Sequence, residues 1–431
     1  MWANEKIFYH IYPLGFCQTA ERNSFSSYSQ NEICKISEQI KHIKNLGANA
    51  IYLGPVFEST VHGYDTADYF KLDSRLGTNE DFALVCKNLH ENNIKIVLDG
   101  VFNHVGRDFW AFKDVQMNKG HSPYVDWFFI QWDTNNCYND GFSYGNWEGC
   151  SDLVKLNLRN PYVKEHIFAA IRFWVEKFDI DGLRLDVAYC LDKDFLRELR
   201  IFCKSLKHDF WLMGETLHGD YNQWMNPEML DSVTNYECYK GLFSSCNSKN
   251  LFEIAHSINR QVGLYRGKHM YTFLDNHDVS RIATALNDKR DLKLLYTLLF
   301  AMPGIPSIYY GSEFGVQGDK KHGDRGLRPL DEYREYTDLT HHIKNLCHIY
   351  HQYKAFSYGT YEELLLGNET YCFARELDGE RVICAINISE KSKDMSYYGI
   401  QIDMPAKSAV ICANGQCLSF EKAEQYSCCA C

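Results

Sequence analysis

Four short segments of the chain carry groups that can do chemistry: Asp99 with Asn103 and His104, Arg184 with Asp186, Gly214 with Glu215, and Asn276 with His277 and Asp278. Two carboxylates that face one another across a cleft suit the cleavage of a glycosidic bond. One attacks the anomeric carbon, while the other protonates the leaving oxygen and later activates water. Asp186 and Glu215 are the pair to weigh for this. Arg184, two residues before Asp186, points to the same face of a strand because side chains alternate with period 2. Its guanidinium would keep Asp186 ionised and oriented. A third carboxylate, Asp278, could hydrogen-bond two sugar hydroxyls and strain the ring toward the transition state. His104 and His277 could donate to neighbouring hydroxyls, and Asp99 reads as a supporting group. Taken singly, each has a plainer reading: a structural Arg–Asp ion pair, a satisfied core histidine, or an N-H-D string that caps a helix.

The elements that must position these groups are legible in the hydrophobic pattern. Each segment ends an apolar run that reads as a buried strand, at residues 94–98, 182–185, 211–213 and 270–274. Further strands are predicted at 7–12 and 50–53 and beginning at Ser232 and Ser307. Helical periodicity is predicted over 33–46, 78–92 (Thr78 as N-cap, Asp81 at N3), 161–178, 193–207, 251–266, 291–302 and 339–352. Eight strands alternating with helices predict an α/β fold, a (β/α)8 barrel whose functional residues gather at the C-terminal ends of the strands. Residues 105–155 break the alternation. They are too long for a structureless loop and read as a short subdomain inserted after the third strand. Residues 1–104 and 156–354 then form the barrel, and 355–431, with alternating runs at 370–375, 381–386 and 407–412, a small antiparallel β domain.

Composition narrows the classes of partner. The net charge of −11 leaves no basic footprint for nucleic acid. No segment is long and apolar enough for a membrane span, and residues 1–6 lack the apolar core of a secretory signal. The 17 cysteines are scattered and odd in number, so reduced thiols in a cytoplasmic protein are expected. Cys428, Cys429 and Cys431 have no Cys/His partner pair at zinc-site spacing. Aromatic residues make up 15% of the chain, which serves either a large core or sugar-stacking faces in a cleft.

The four segments, in order, resemble the motif regions of glycoside hydrolase family 13, the α-amylase family. Asp99, Asn103 and His104 match its D-x-x-x-N-H, and Gly182, Arg184 and Asp186 its G-x-R-x-D. Gly214 and Glu215 match the general-acid segment, and Asn276, His277 and Asp278 the x-N-H-D. Tyr64 to Tyr69, Val154 to Asn157 and Gly304 to Gly311 are similar to three flanking motifs. The resemblance implies a retaining α-glucan hydrolase acting on α-1,4 bonds of maltodextrins, cyclodextrins or related oligosaccharides. Asp186 would be the nucleophile, Glu215 the acid/base and Asp278 the transition-state stabiliser. Tyr64 would stack on the sugar, and His104, Arg184, His277 and His218 would contact the substrate.

Within the family, the chain is most similar to cyclomaltodextrinases, neopullulanases and maltogenic amylases. It departs from them at Tyr189 and Cys190, where Asn-Glu is usual, and at Leu217, where Trp is usual. Both positions are implied to border the sugar on the leaving-group side. An α-1,6-glucosidase or a transglycosylase is the alternative on the same scaffold, and a non-catalytic carbohydrate-binding relative a remote one. That group's N-terminal β domain has no counterpart before residue 7, so a monomer is expected rather than a dimer. No cofactor is needed for the chemistry. The resemblance leaves room for a structural calcium near Asn103, with Asp108, Asp114 and Asp152 available, although solvated loop carboxylates are the plainer reading of those three.

Overall fold

The computed structural model describes residues 1–25, 31–320, 335–395 and 403–422. The tail cysteines Cys428, Cys429 and Cys431 lie outside the described residues. Eight parallel strands make one sheet: β1 (Phe8–Ile11), β2 (Ala50–Leu53), β3 (Lys95–Gly100), β4 (Gly182–Leu185), β5 (Trp211–Gly214), β6 (Ser232–Val233), β7 (Tyr271–Phe273) and β8 (Ile305–Tyr309). Their spatial order is β6-β5-β4-β3-β2-β1-β8-β7. A parallel bridge between Thr234 and Tyr271 joins the two ends, with Asn235 N donating to Tyr271 O at 2.9 Å. The sheet is therefore a closed barrel. Helices Ile40–Leu46, Asn79–Glu91, Pro161–Phe178, Lys193–Leu206, Tyr236–Ser248, Phe252–Leu264, Asp291–Ala301 and Asp338–Gln352 surround it. Asn79–Glu91 starts with a reciprocal capping box of Thr78 and Asp81, as the sequence predicts. None of the described helices is long and apolar enough to cross a membrane.

Alternation along the strands separates two cores. One set of side chains, including Ile51, Leu98, Leu183 and Leu212, packs outward beneath the helices. The other set fills the barrel floor with Phe8, Tyr52, Val97, Trp211, Met213, Tyr271, Phe273 and Ile305, and Trp2 packs against it. Phe8 lies 5.3 Å from Trp211 and 5.4 Å from Tyr271 between ring centroids. Because successive inward side chains climb the strand, the next layer above this floor holds His10, Asp99 and Arg184. Pairing of β3 with β4 sets Asp99 beside Arg184 in register, so both point into the barrel at one level.

The glycines of the motifs have a packing reason. A Cβ on Gly182 would lie 2.5 Å from Trp211 O, and one on Gly214 would lie 2.4 Å from Leu230 Cδ1 and 2.8 Å from Ala188 Cβ. Close approach of β4 to Trp211 needs Gly182 bare, and the packing of Leu230 and Ala188 needs Gly214 bare.

The stretch after β3 is a small structured unit. His104–Gly106 pairs antiparallel with Cys150–Lys155, which pairs in turn with Asn146–Trp147. The unit also holds a helix, Trp110–Asn118, that its polar composition conceals. Beyond the barrel, Thr360–Leu366, Thr370–Leu377, Glu380–Asn387, Ser408–Ala413 and Gln416–Lys422 form a five-stranded antiparallel sheet. Buried Lys407 anchors it to the barrel helices by pairing with Asp291 at 2.8 Å and Asp288 at 3.1 Å.

Replacing Gly182 with Ala should overpack the β4–β5 contact and cost about 1–3 kcal/mol. The readout is the denaturation midpoint; an unshifted midpoint would show that the strands can part to admit the methyl group.

Candidate active site

At the C-terminal mouth of the barrel a single guanidinium gathers four carboxylates. Arg184 Nη1 donates to Asp99 Oδ1 at 2.9 Å and Oδ2 at 3.0 Å, and to Asp186 Oδ1 at 2.9 Å. Arg184 Nη2 lies 2.9 Å from Glu215 Oε2 and 3.8 Å from Asp278 Oδ2. Glu215 Oε2 also accepts the Val187 N–H at 2.9 Å. Val187 directly follows Asp186 and has φ of 39°, a left-handed conformation that is a genuine outlier for a β-branched side chain. The chain bends there so that one amide clamps Glu215 while Asp186 faces the mouth.

The remaining predicted residues surround this centre. Tyr64 donates its hydroxyl to Asp99 Oδ2 at 2.9 Å and also meets His277 Nε2. Its ring stacks on the His277 imidazole at 5.6 Å and 9°. His277 Nε2 lies 3.0 Å from Asp278 Oδ2, and His104 Nε2 lies 3.8 Å from Asp186 Oδ2. The side chains of Asp186 and Glu215 are only 7% and 8% exposed, whereas that of Asp278 is 29% exposed. Thus the structure brings Tyr64, His104, Arg184, Asp186, Glu215, His277 and Asp278 together. His218, with Leu217, is instead exposed on the loop beyond Glu215, outside the buried cluster.

Comparison with known proteins decides what this arrangement is. Residues 10–355 match the family model for the alpha amylase catalytic domain. The chain belongs to the α-amylase family of glycoside hydrolases. It is 31% identical over 425 residues to a cyclomaltodextrinase of Geobacillus thermopakistaniensis, covering 91% of this chain and 70% of that protein. Among solved structures it is similar to the cyclic alpha-maltosyl-(1→6)-maltose hydrolase of Arthrobacter globiformis, with TM-score 0.86 and 28% identity over 96% of this chain and 99% of that one. It is also similar to the debranching enzyme of Nostoc punctiforme, with TM-score 0.84 and 30% identity over 95% and 98%.

The electrostatics of this α-amylase family site follow from its burial. Desolvation pushes the Asp186 carboxyl well above the ordinary range; Arg184 opposes it, and Glu215, Asp99 and Asp278 add to it. Burial raises Glu215 too, against Arg184. One cation cannot neutralise four carboxylates, so this cluster retains a proton to higher pH than separate carboxyls would. Burial holds His104 down to about 3 and lowers His10 well below its ordinary value, so both imidazoles are neutral near pH 7.

Several supporting residues escape a reading of the motifs alone. Tyr52 donates to Asp99 Oδ2 at 2.7 Å. His10 stacks on Tyr52 at 4.2 Å and meets His277 edge-on at 5.2 Å. Tyr236 holds Asn276, which donates to its hydroxyl at 3.0 Å. A lone polar residue in the apolar run 7–12 is the signal that could have found His10, and period 2 from Ala50 the one for Tyr52.

Of the oxygens offered for calcium, Asn103 Oδ1 and Asp114 Oδ1 are buried without a hydrogen-bond partner, while other atoms of the set are engaged. Asn103 donates to His104 Nδ1 at 3.1 Å. Asp108 is engaged by Thr60 at 2.9 Å and Lys113 at 2.8 Å, Asp114 by Asn118 at 3.1 Å, and Asp152 by Tyr138. Among the described residues no group of three or more His, Cys, Asp or Glu side chains could hold a metal ion.

These charges set a pH prediction for a reaction that needs Asp186 ionised and Glu215 protonated. Asp99→Asn removes one negative charge that raises Asp186, so the acid limb of the kcat/KM profile should move to lower pH. His104→Asn should lower kcat by about tenfold, on the scale of one hydrogen bond that tightens in the transition state. It should leave both limbs in place, because His104 is uncharged across the working range. An acid limb that stays put in Asp99→Asn would remove Asp99 from the electrostatics of Asp186.

Proposed function

We propose that the enzyme hydrolyses α-1,4-glucosidic bonds of maltodextrins, cyclodextrins or related oligosaccharides with retention of configuration, through a covalent glycosyl-enzyme. The observation that carries this reading is the guanidinium of Arg184, which contacts Asp186 and Glu215 at 2.9 Å each. Two carboxyl groups held on one small cation are consistent with the close spacing, about 5–5.5 Å, that double displacement needs.

The steps follow from the contacts. Arg184 stabilises the ionised form of Asp186 and fixes its orientation for attack on the anomeric carbon. Glu215 carries the retained proton and passes it to the departing oxygen. Once Asp186 is esterified its negative charge is gone, and the charge that kept Glu215 protonated falls with it. Glu215 can then take a proton from water as that water attacks the ester. Asp278, closest to the mouth, holds ring hydroxyls as positive charge grows, with His277 beside it. The face of Tyr64, braced by Asp99 and His277, offers an apolar platform to the apolar face of the sugar. The chemistry draws on side chains alone.

Likeness to the cyclic alpha-maltosyl-(1→6)-maltose hydrolase of Arthrobacter globiformis and to a Nostoc punctiforme debranching enzyme favours one second reading, α-1,6-glucosidase action at the same residues.

Asp186→Asn and Glu215→Gln should each reduce hydrolysis of maltodextrins by a factor of about 10⁴ or more while leaving the melting curve in place. NMR of the first product formed should show the α anomer. Near-normal turnover in either variant, or an initial β anomer, would end the double-displacement assignment. A substrate panel of maltotriose, β-cyclodextrin, pullulan and panose separates the two readings. Maltotriose and β-cyclodextrin should be cleaved fastest; preferential cleavage of the α-1,6 bond of panose would put the second reading first.

A further inference from the structure

The outer hairpin of the C-terminal sheet carries a cysteine on each strand, close beside its turn. Its strands are Ser408–Ala413 and Gln416–Lys422, and the second of them is an edge of the five-stranded sheet. The turn is Asn414-Gly415, with φ of 49° and 79°, the left-handed pair that a two-residue hairpin loop requires. Ala413 and Gln416 flank that loop, and Cys412 stands directly opposite Cys417. In such a hairpin the flanking pair exchanges the backbone hydrogen bonds, so the next pair out is a non-hydrogen-bonded one. The α-carbons of such a pair stand about 4.5 Å apart, and its side chains leave the same face. A disulfide spans that separation. The Cys412 and Cys417 thiols are already in hydrogen-bonding contact. Cys417 is exposed, and its S–H also reaches Ser419 O at 3.6 Å. Cys412 is half-buried, and burial, with Cys417 beside it, pushes its thiol up to about 11.

We propose that Cys412 and Cys417 are a reversible redox pair: a small-molecule disulfide such as oxidised glutathione converts them to a cross-strand disulfide that fastens the edge strand. The exposed Cys417 gives its proton to water and attacks one sulfur of the glutathione disulfide. The glutathione thiolate that leaves takes up a proton. Cys412 then loses its own proton and attacks the Cys417 sulfur, releasing the second glutathione. Two hydrogens and two electrons thus pass from the protein to glutathione. The strand so fastened carries Glu421, which lies 3.1 Å from Lys293 Nζ and 3.1 Å from His342 Nδ1 on two barrel helices. An edge strand is hydrogen-bonded on one side only, so it is among the first parts of a sheet to open. None of this depends on the reaction at the barrel mouth.

The test treats the native enzyme with oxidised glutathione, alkylates the remaining thiols and cuts the chain with trypsin. Cleavage after Lys407 and Lys422 puts both cysteines in one peptide, residues 408–422. In the wild type that peptide should lose two hydrogens and escape alkylation, and dithiothreitol should restore both thiols. In Cys412→Ser it should instead gain one glutathione and keep it, because no second thiol is there to displace it. Amide exchange over residues 418–422 should slow about tenfold in the oxidised wild type and stay unchanged in oxidised Cys412→Ser. Two alkylated cysteines in the treated wild type overturn the inference, and so does a lasting glutathione adduct there. A bridge to the peptide carrying Cys372, the buried cysteine on the same face of the sheet, overturns it too. The expected bridge without slowed exchange would overturn the fastening of the edge strand.

Discussion

Arg184 is the point on which the site depends. A buried guanidinium is tolerable only when its donors are matched, and this one is matched by more negative charge than it can neutralise. Burial first, and this excess second, keep a proton in the cluster at pH values where isolated carboxyls would have lost theirs. Arg184 thus favours the ionised forms of both Asp186 and Glu215 by contact, while burial and the other carboxylates around it oppose ionisation. Removing it would leave three buried acids, and the half-buried Asp278, without that counter-charge.

Everything around Arg184 serves to hold it level with its partners. Register between β3 and β4 sets Asp99 alongside, and Tyr52 and Tyr64 grip Asp99 from two further directions. The bare α-carbon at Gly182 lets the strands leading to Asp186 and Glu215 approach closely, and that at Gly214 makes room for Leu230 and Ala188. The strained Val187 then turns the chain so that its own amide reaches Glu215. These are backbone devices, stiffer than any side chain, and they confine the reacting groups more tightly than salt bridges alone could.

Much of this was legible in the sequence because motif residues sit at strand ends, where a buried apolar run followed by a charged residue is unambiguous. The barrel strands read that way, while the capping box reads from the spacing of Thr78 and Asp81. What resisted reading depends on contacts distant in sequence. His10 and Tyr52 look like core residues until the barrel closes, which sets His10 against His277 and β2 beside β3. Glu148 sits in a stretch without periodicity, and only the fold brings it to Tyr189. Helix Tyr236–Ser248 and strand Thr360–Leu366 carry little apolar periodicity of their own, the latter being largely exposed, and they form because neighbours supply the pairing. His218 shows the converse: adjacency to a motif residue in sequence did not bring it into the cluster.

The aromatic floor of the barrel bears on the fate of the glycosyl-enzyme after cleavage. Phe8, Trp211, Tyr271 and Phe273 seal the tube from below, so the intermediate is not reached through it. Water must arrive through the same doorway that the departing sugar has just vacated. Any other hydroxyl-bearing molecule must use that doorway too. Whether the glucosyl unit ends on water or on another sugar then depends on which of them occupies the mouth when the intermediate is exposed.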